Sequence, residues 1–242
     1  VSARVTGLAW LAGAVAGADG WARLPEVRRE DVLGDARFLK LDRAAKLLTL
    51  GVVRALAGRG PPGDAGLVLG SLLGSAEADR RFDATRALEG GASPALFPAT
   101  LSTSPASEVS IRLGLQGPVL SVSAGEASLL AAIGLALRAL ERGDADLMLA
   151  CGLEVAAPDA ARRLGRPGPF AESVLVLVLE RDGAGPGIAR GRGGAAPPLD
   201  AGFDLLGNRA GPALAGLLAR PGARGSVAVE DGVFAQHLSI GP

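Results

Sequence analysis

Three stretches of the chain are too apolar to lie at a surface: Gly66–Gly70 (GLVLG), Leu147–Cys151 (LMLAC) and Ser173–Arg181 (SVLVLVLER). Short runs of this kind, rich in branched residues, predict buried strands, and the last predicts one covered on both faces in the middle of a sheet. Between them the period changes. Leu129, Leu130, Ile133, Leu137 and Leu140 recur at three- and four-residue spacings, predicting a helix from Glu126 that Gly143 stops. Leu41, Ala45, Leu48, Val52, Val53 and Leu56 make one face of a second helix over Phe38–Ala57. Val5–Leu11 predicts a first strand, GRGPPGD at 58–64 a loop, and Ser75–Glu89 a charged helix. Pro158–Leu164 predicts a short helix, and the Gly/Pro/Arg-rich 183–198 a connector. SVAVEDGVFAQHLSI at 226–240 predicts a hairpin about Glu230, Asp231 and Gly232.

The densest pattern runs from Gly114 to Gly152. Val119–Ser123 reads as a short buried strand after a Gly-Pro break; Ala124 and Gly125 make a sharp turn, and a helix and another strand follow. Glu126 therefore stands at a helix N-terminus where a strand ends. Free backbone N–H groups and the helix dipole favour negative charge at such a corner, and enzymes often place a nucleophile there.

Composition narrows the function. The chain has 242 residues, 48% hydrophobic and 21% charged, enough for one sizeable core. Net charge is +0 and aromatics are 3% with no tyrosine, so neither electrostatic attraction nor stacking platforms point to nucleic acid or an anionic membrane. A single cysteine suits a reducing cytoplasm and excludes an internal disulfide framework. The apolar N-terminus, with Arg4 and Asp19, fits a strand and loop better than a signal peptide, and no uninterrupted apolar run reaches membrane-spanning length. Gly66, Gly70 and Gly74 are not spaced as GxGxxG, and no acidic residue stands at the ribose position, which argues against a dinucleotide.

SIRLGLQGP at 110–118 and ERGDADLMLACGLEV at 141–155 resemble the segments flanking the catalytic turn of the β-ketoacyl synthase family, in the thiolase superfamily. Aligned between those flanks without a gap, the family's nucleophilic cysteine falls on Glu126. The AGE triplet at 124–126 is similar to a short, divergent, chain-length-factor-like branch that occurs with aryl polyene and related type II polyketide pathways. LLGNRAGPALAGLLA at 205–219 resembles the family's glycine-histidine helix, with Asn208 where the histidine would stand; the HGTGT-type loop has no counterpart. The resemblance implies an α/β, thiolase-like (αβαβα) layered fold. Its N-terminal half would be complete over about 1–182, and only a remnant of the second half would remain over about 199–242.

For chemistry, the resemblance implies what is missing. Condensation needs a thiolate and two histidines, whereas the turn holds no cysteine and the only histidine is His237, in the terminal strand pair. Cys151, inside a strand, reads as a small buried hydrophobe. No catalytic residue, cofactor or metal is expected. The implied function is a non-catalytic subunit of chain-length-factor type that pairs with an active ketosynthase and serves chains carried on an acyl carrier protein, in polyketide, aryl polyene or fatty-acid-like elongation. Val119, Leu120, Ser121, Val122 and Ser123, with Glu126, would form the interface, because this superfamily pairs the strand before the catalytic turn with its mate. The Ser/Thr-rich 97–110 has two readings: the resemblance implies that it leads into a helix supporting that interface and the catalytic turn, and its residues read equally well as a loop with a Ser-Pro start and a helix from Ala106.

Glu126 has three readings: an inert replacement, a carboxylate mimic that supports decarboxylation, or a side chain reaching across an interface. The third is preferred, because a buried carboxylate needs a specific partner, an arginine or backbone N–H groups. Two other functions stay open: a thiolase-fold decarboxylase or acyltransferase using Glu126, and a self-associating acyl-binding protein.

Overall fold

The computed structural model describes residues 2–32, 36–166, 168–190, 206–208, 210–220, 225–230 and 235–241. In chain order the elements are β1 (Ser2–Ala12), β2 (Trp21–Ala22), α1 (Arg43–Leu56), β3 (Gly66–Gly70), α2 (Ala76–Glu89), α3 (Ser104–Leu113), β4 (Val119–Val122) and α4 (Ser128–Arg142). There follow β5 (Leu147–Glu154), α5 (Pro158–Arg163), β6 (Phe170–Ala171), β7 (Ser173–Glu180), β8 (Gly187–Arg190), α6 (Gly211–Leu218), β9 (Gly225–Glu230) and β10 (Ala235–Gly241).

Eight strands make one mixed sheet in the order β4-β3-β5-β7-β1-β8-β10-β9; β2 and β6 pair separately. In the eight-stranded sheet β3 runs parallel to β4 and β5 and the remaining neighbours are antiparallel, while β2 and β6 pair in parallel. The sequence pattern explains the layers. Along β7, Val174, Val176 and Val178 pack with α1 and α3, while Leu175, Leu177 and Leu179 pack with α4 and α6. All six are fully buried. A strand lined on both faces in this way must sit in the interior, and β7 lies between β5 and β1. Each such side chain contributes about 1.5–3 kcal/mol by leaving water.

The sheet is curled. α4 touches β3 and β5 on one side and also β8 and β10, which lie beyond β1 in the strand order. Ile188 and Ile240 from those strands join the α4 core. Leu129, Leu130, Ile133, Ala136, Leu137 and Leu140 are buried in consequence. The α/β, thiolase-like layering expected from sequence is present: helices, a mixed sheet, and a second helix layer enclosed by the curl.

Several local expectations are corrected. The helix expected over Phe38–Ala57 starts only at Arg43, because Asp42 caps it by accepting from Ala45 N at 2.8 Å; a 3-10 turn covers Ala36–Lys40. The connector expected over 183–198 contains β8, which bridges β1 and β10; residues 191–198 lie outside the described residues. α3 begins at Ser104 rather than Ala106, with Pro105 in its first turn. α4 begins at Ser128, so Glu126 belongs to the turn before it. The hairpin at 226–240 forms as β9 and β10, with His237 opposite Ala228, while its expected tip at Asp231 and Gly232 lies outside the described residues.

Val119–Ser123 is not a buried strand. β4 is the edge of the sheet, paired on one side with β3 alone, and Leu120 is 45% exposed. The apolar, branched composition that suggests burial is here the composition of an open edge.

Candidate functional site

The β4–α4 turn is fixed by short-range chemistry. Gly125 has a φ of 57°, which permits the reversal. Ser128 Oγ accepts from Ala124 N at 3.0 Å and donates to Gly125 O at 2.6 Å, tying the turn to the first residue of α4. Glu126 sits in this turn with its side chain 11% exposed, and Arg166, which follows α5, donates from Nη1 to its Oε1. An arginine, one of the two kinds of partner expected for this carboxylate, thus meets it from within the chain, whereas the preferred reading had it reach across an interface.

Asn208 reaches the same corner. It ends a 3-10 turn at Leu206–Asn208, is fully buried, and its Nδ2 donates to Ser173 O at 3.1 Å and to Ser173 Oγ at 3.0 Å. The 206–208 turn contacts α4 and the end of β5. Gly152 makes the room: a Cβ there would lie 1.8 Å from Asn208 Oδ1 and 3.0 Å from Leu129 Cδ1. The structure thus brings Glu126 and Asn208, far apart in sequence, to one end of the sheet.

Cys151 does not join them. Neighbouring strand residues point to opposite faces, and Cys151 packs in the α1–α3 core while Gly152 faces Asn208. Its thiol is fully buried, and desolvation pushes its pKa up, away from the thiolate a nucleophile needs.

Two further buried carboxylates, not singled out by sequence reasoning, frame the site. Glu172 Oε1 accepts from Arg43 Nε at 2.8 Å and from Ala156 N at 3.1 Å; its Oε2 accepts from Arg43 Nη2 at 2.5 Å and from Leu24 N at 2.9 Å. Glu154, at the end of β5, accepts from Leu72 N at 2.5 Å, Leu73 N at 3.1 Å and Ser71 Oγ at 3.4 Å, and from the backbone of Gly207. Burial pushes its pKa up to about 7 despite those donors. The signal for both was an acid at the margin of an apolar run, in GLEV and AESV.

At the edge, Leu67 N donates to Pro118 O and Ser71 N to Val122 O. In a parallel pair, alternate residues bond to the same side, so Val119, Ser121 and Ser123 present their N–H and C=O groups outward. Leu120 on β4 and Ile111 on α3, 63% exposed, add apolar surface next to this row. A small cleft of about 80 Å³ beside β4 is lined by Leu69, Ser71, Leu72, Gly74, Ser102, Ser121, Val122 and Ser123. No described helix is long and apolar enough to cross a membrane.

The sequence matches the β-ketoacyl synthase N-terminal domain over residues 32–195, well over half its length, and the chain belongs to that family. Its fold is similar to the ishigamide ketosynthase/chain length factor, with a TM-score of 0.78 and 17% identity over 99% of both chains. It is also similar to a chain of the ketosynthase ApeO in complex with its chain length factor ApeC from Xenorhabdus doucetiae, with a TM-score of 0.65 and 18% identity over 99% of both chains. At these identities the likeness speaks to the fold. No curated protein sequence matches the chain.

Proposed function

We propose that this chain is a non-catalytic ketosynthase-like subunit of chain-length-factor type, pairing through β4 with an active ketosynthase. The observation that carries this reading is the substitution of the catalytic corner. On this reading Glu126, a carboxylate paired with Arg166, stands where the family's thiol would be, and Asn208 where a histidine would be. Neither supplies the thiolate that condensation needs, and Cys151 faces the other side of the sheet. Residues 199–242 serve as the remnant of the second half, supplying α6 and, beside β8, the strand β10 that packs on α4.

The open edge supports the pairing. An unpaired strand with outward N–H and C=O groups is a template for another strand. Val119, Ser121 and Ser123 would bond to the edge strand of the ketosynthase, with Leu120 covered beside them. The cleft at β4 is far below the roughly 300 Å³ of an ordinary ligand pocket, so an acyl channel at this edge would need walls from the partner. The carried chain, polyketide or aryl polyene, would arrive on an acyl carrier protein.

Incubating the isolated chain with acyl- and malonyl-carrier protein tests this. The expected result is no covalent acyl adduct by intact mass and no decarboxylation, with elongation appearing only when the ketosynthase is present. Turnover by the isolated chain that Glu126→Gln abolishes would establish the acid/base enzyme instead.

A further inference from the structure

We infer that the two faces of β4 select the strand that docks on it: beside Leu120, on the α4 face, the docking strand carries an apolar side chain, and beside Ser121, on the α3 face, a small polar one. The inference rests on the pairing through β4 proposed above and adds the chemistry of the partner's strand. The register of β4 against β3 assigns the faces. Leu120 lies beside Val68, and Ser121 beside Leu69. Residues side by side in a ladder share a face. Val68 belongs to the α4 core, and Leu69 to the core of α1 and α3. The rest of β4 agrees: Val122, two residues after Leu120, packs against the α4 core, and Val119, two before Ser121, against the other.

The faces differ in what they ask of a neighbour. Leu120 leaves a half-exposed leucine at the edge. The α3 face is hydroxyl-bearing there: Ser121 and Ser123 line the cleft of about 80 Å³ together with Ser71 and Ser102. That cleft has room for the end of one side chain or for water, not for a free ligand. Ser121 Oγ is buried without a hydrogen-bond partner among the described residues, which adds to the demand for a polar neighbour on this face. A strand bonded to the outward groups of Val119, Ser121 and Ser123 brings directly opposite Cβ atoms within about 4.5–5.5 Å. A hydroxyl or amide side chain opposite Ser121 then meets the cleft, while the alternate side chains cover Leu120. A slip of one residue exchanges the two faces, setting polar groups on the leucine and apolar ones on the hydroxyls. The row of backbone groups alone accepts any strand; these two side chains make it selective.

Titrating a full-length ketosynthase into the purified chain, with the complex read by native mass spectrometry, tests this. Leu120→Ser, at an exposed position that leaves the isolated fold intact, is expected to weaken the complex about tenfold, and Leu120→Met to leave it near the original. Ser121→Val keeps the backbone row but sets methyls at the cleft, and is expected to weaken it on the order of tenfold, whereas Ser121→Thr retains it. Cross-linking reads the register directly and needs no stable serine-site variant. With Leu120→Cys, disulfides to single cysteines placed along the ketosynthase's edge strand should form at alternate positions, those that natively carry apolar side chains. A complex indifferent to Leu120→Ser and Ser121→Val, or cross-links at natively polar positions, overturns the inference and leaves the pairing standing. An unsubstituted chain that forms no complex overturns the pairing, and the inference with it.

Discussion

Arg166 donates to Glu126, joining the segment after α5 to the turn that opens α4. The pair occupies the β4–α4 corner, proposed above to stand where the family carries its nucleophile, and it is mostly shielded from water. Arg166→Ala leaves a carboxylate in that corner without this cation. The expected cost is about 1–2 kcal/mol in chemical denaturation, below that of a fully buried pair because the arginine keeps some solvent contact. Glu126→Cys puts a thiol at this corner but supplies neither of the histidines that condensation needs, so it is expected to give no condensation in a carrier-protein assay.

Gly152 and Asn208 compete for one space. Gly152→Ala places a methyl 1.8 Å from Asn208 Oδ1. The 206–208 turn must then move off β5, or the Ser173 bonds must break. The expected loss is about 1–3 kcal/mol, with chemical-shift changes at Ser173. An unchanged midpoint would show that the turn is not seated as described.

Arg43 and Glu172 form the most enclosed ion pair described at this end of the sheet, the carboxylate being fully buried. Glu172→Ala removes the acceptor from Arg43, Leu24 N and Ala156 N together. About 3–5 kcal/mol of stability is expected to go, the cost of stranding a buried partner. Removing Glu26, whose bond to the same arginine is exposed, should cost under about 1 kcal/mol.

The pH dependence of stability carries the mark of Glu154. Its pKa rises from 4.5 in the unfolded chain to about 7 when folded. Between these values the folded state holds the extra proton, so this contribution is complete below about pH 4.5 and is lost as pH rises to 7. The decline is on the order of 3 kcal/mol at most. Urea midpoints across that range should fall, and Glu154→Gln should flatten the slope.

What could be read from sequence was whatever a single local period dictates. SVLVLVLE alternates two core-forming faces and could only be an interior strand, and Leu129 to Leu140 with Gly143 beyond could only be a capped helix. The corner at Glu126 followed from the meeting of those two periods. What could not be read depended on distant partners. Arg166 lies in a loop with no pattern of its own, β8 is four residues inside a Gly/Pro-rich stretch, and Glu154 and Glu172 look like strand-end punctuation until their donors arrive from elsewhere. Asp42 was a readable cap that the longer apolar face obscured. The exposure of β4 was not legible, because this edge strand has the apolar, branched composition of a core strand.

Native mass spectrometry of this chain co-expressed with a full-length ketosynthase measures the central claim most directly. The expected result is a one-to-one heterodimer, lost in Ser121→Pro, which removes an outward N–H without touching the bonds to β3, while the variant stays folded alone. A chain that remains monomeric or pairs only with itself, beside a ketosynthase that forms its own homodimer, would contradict it.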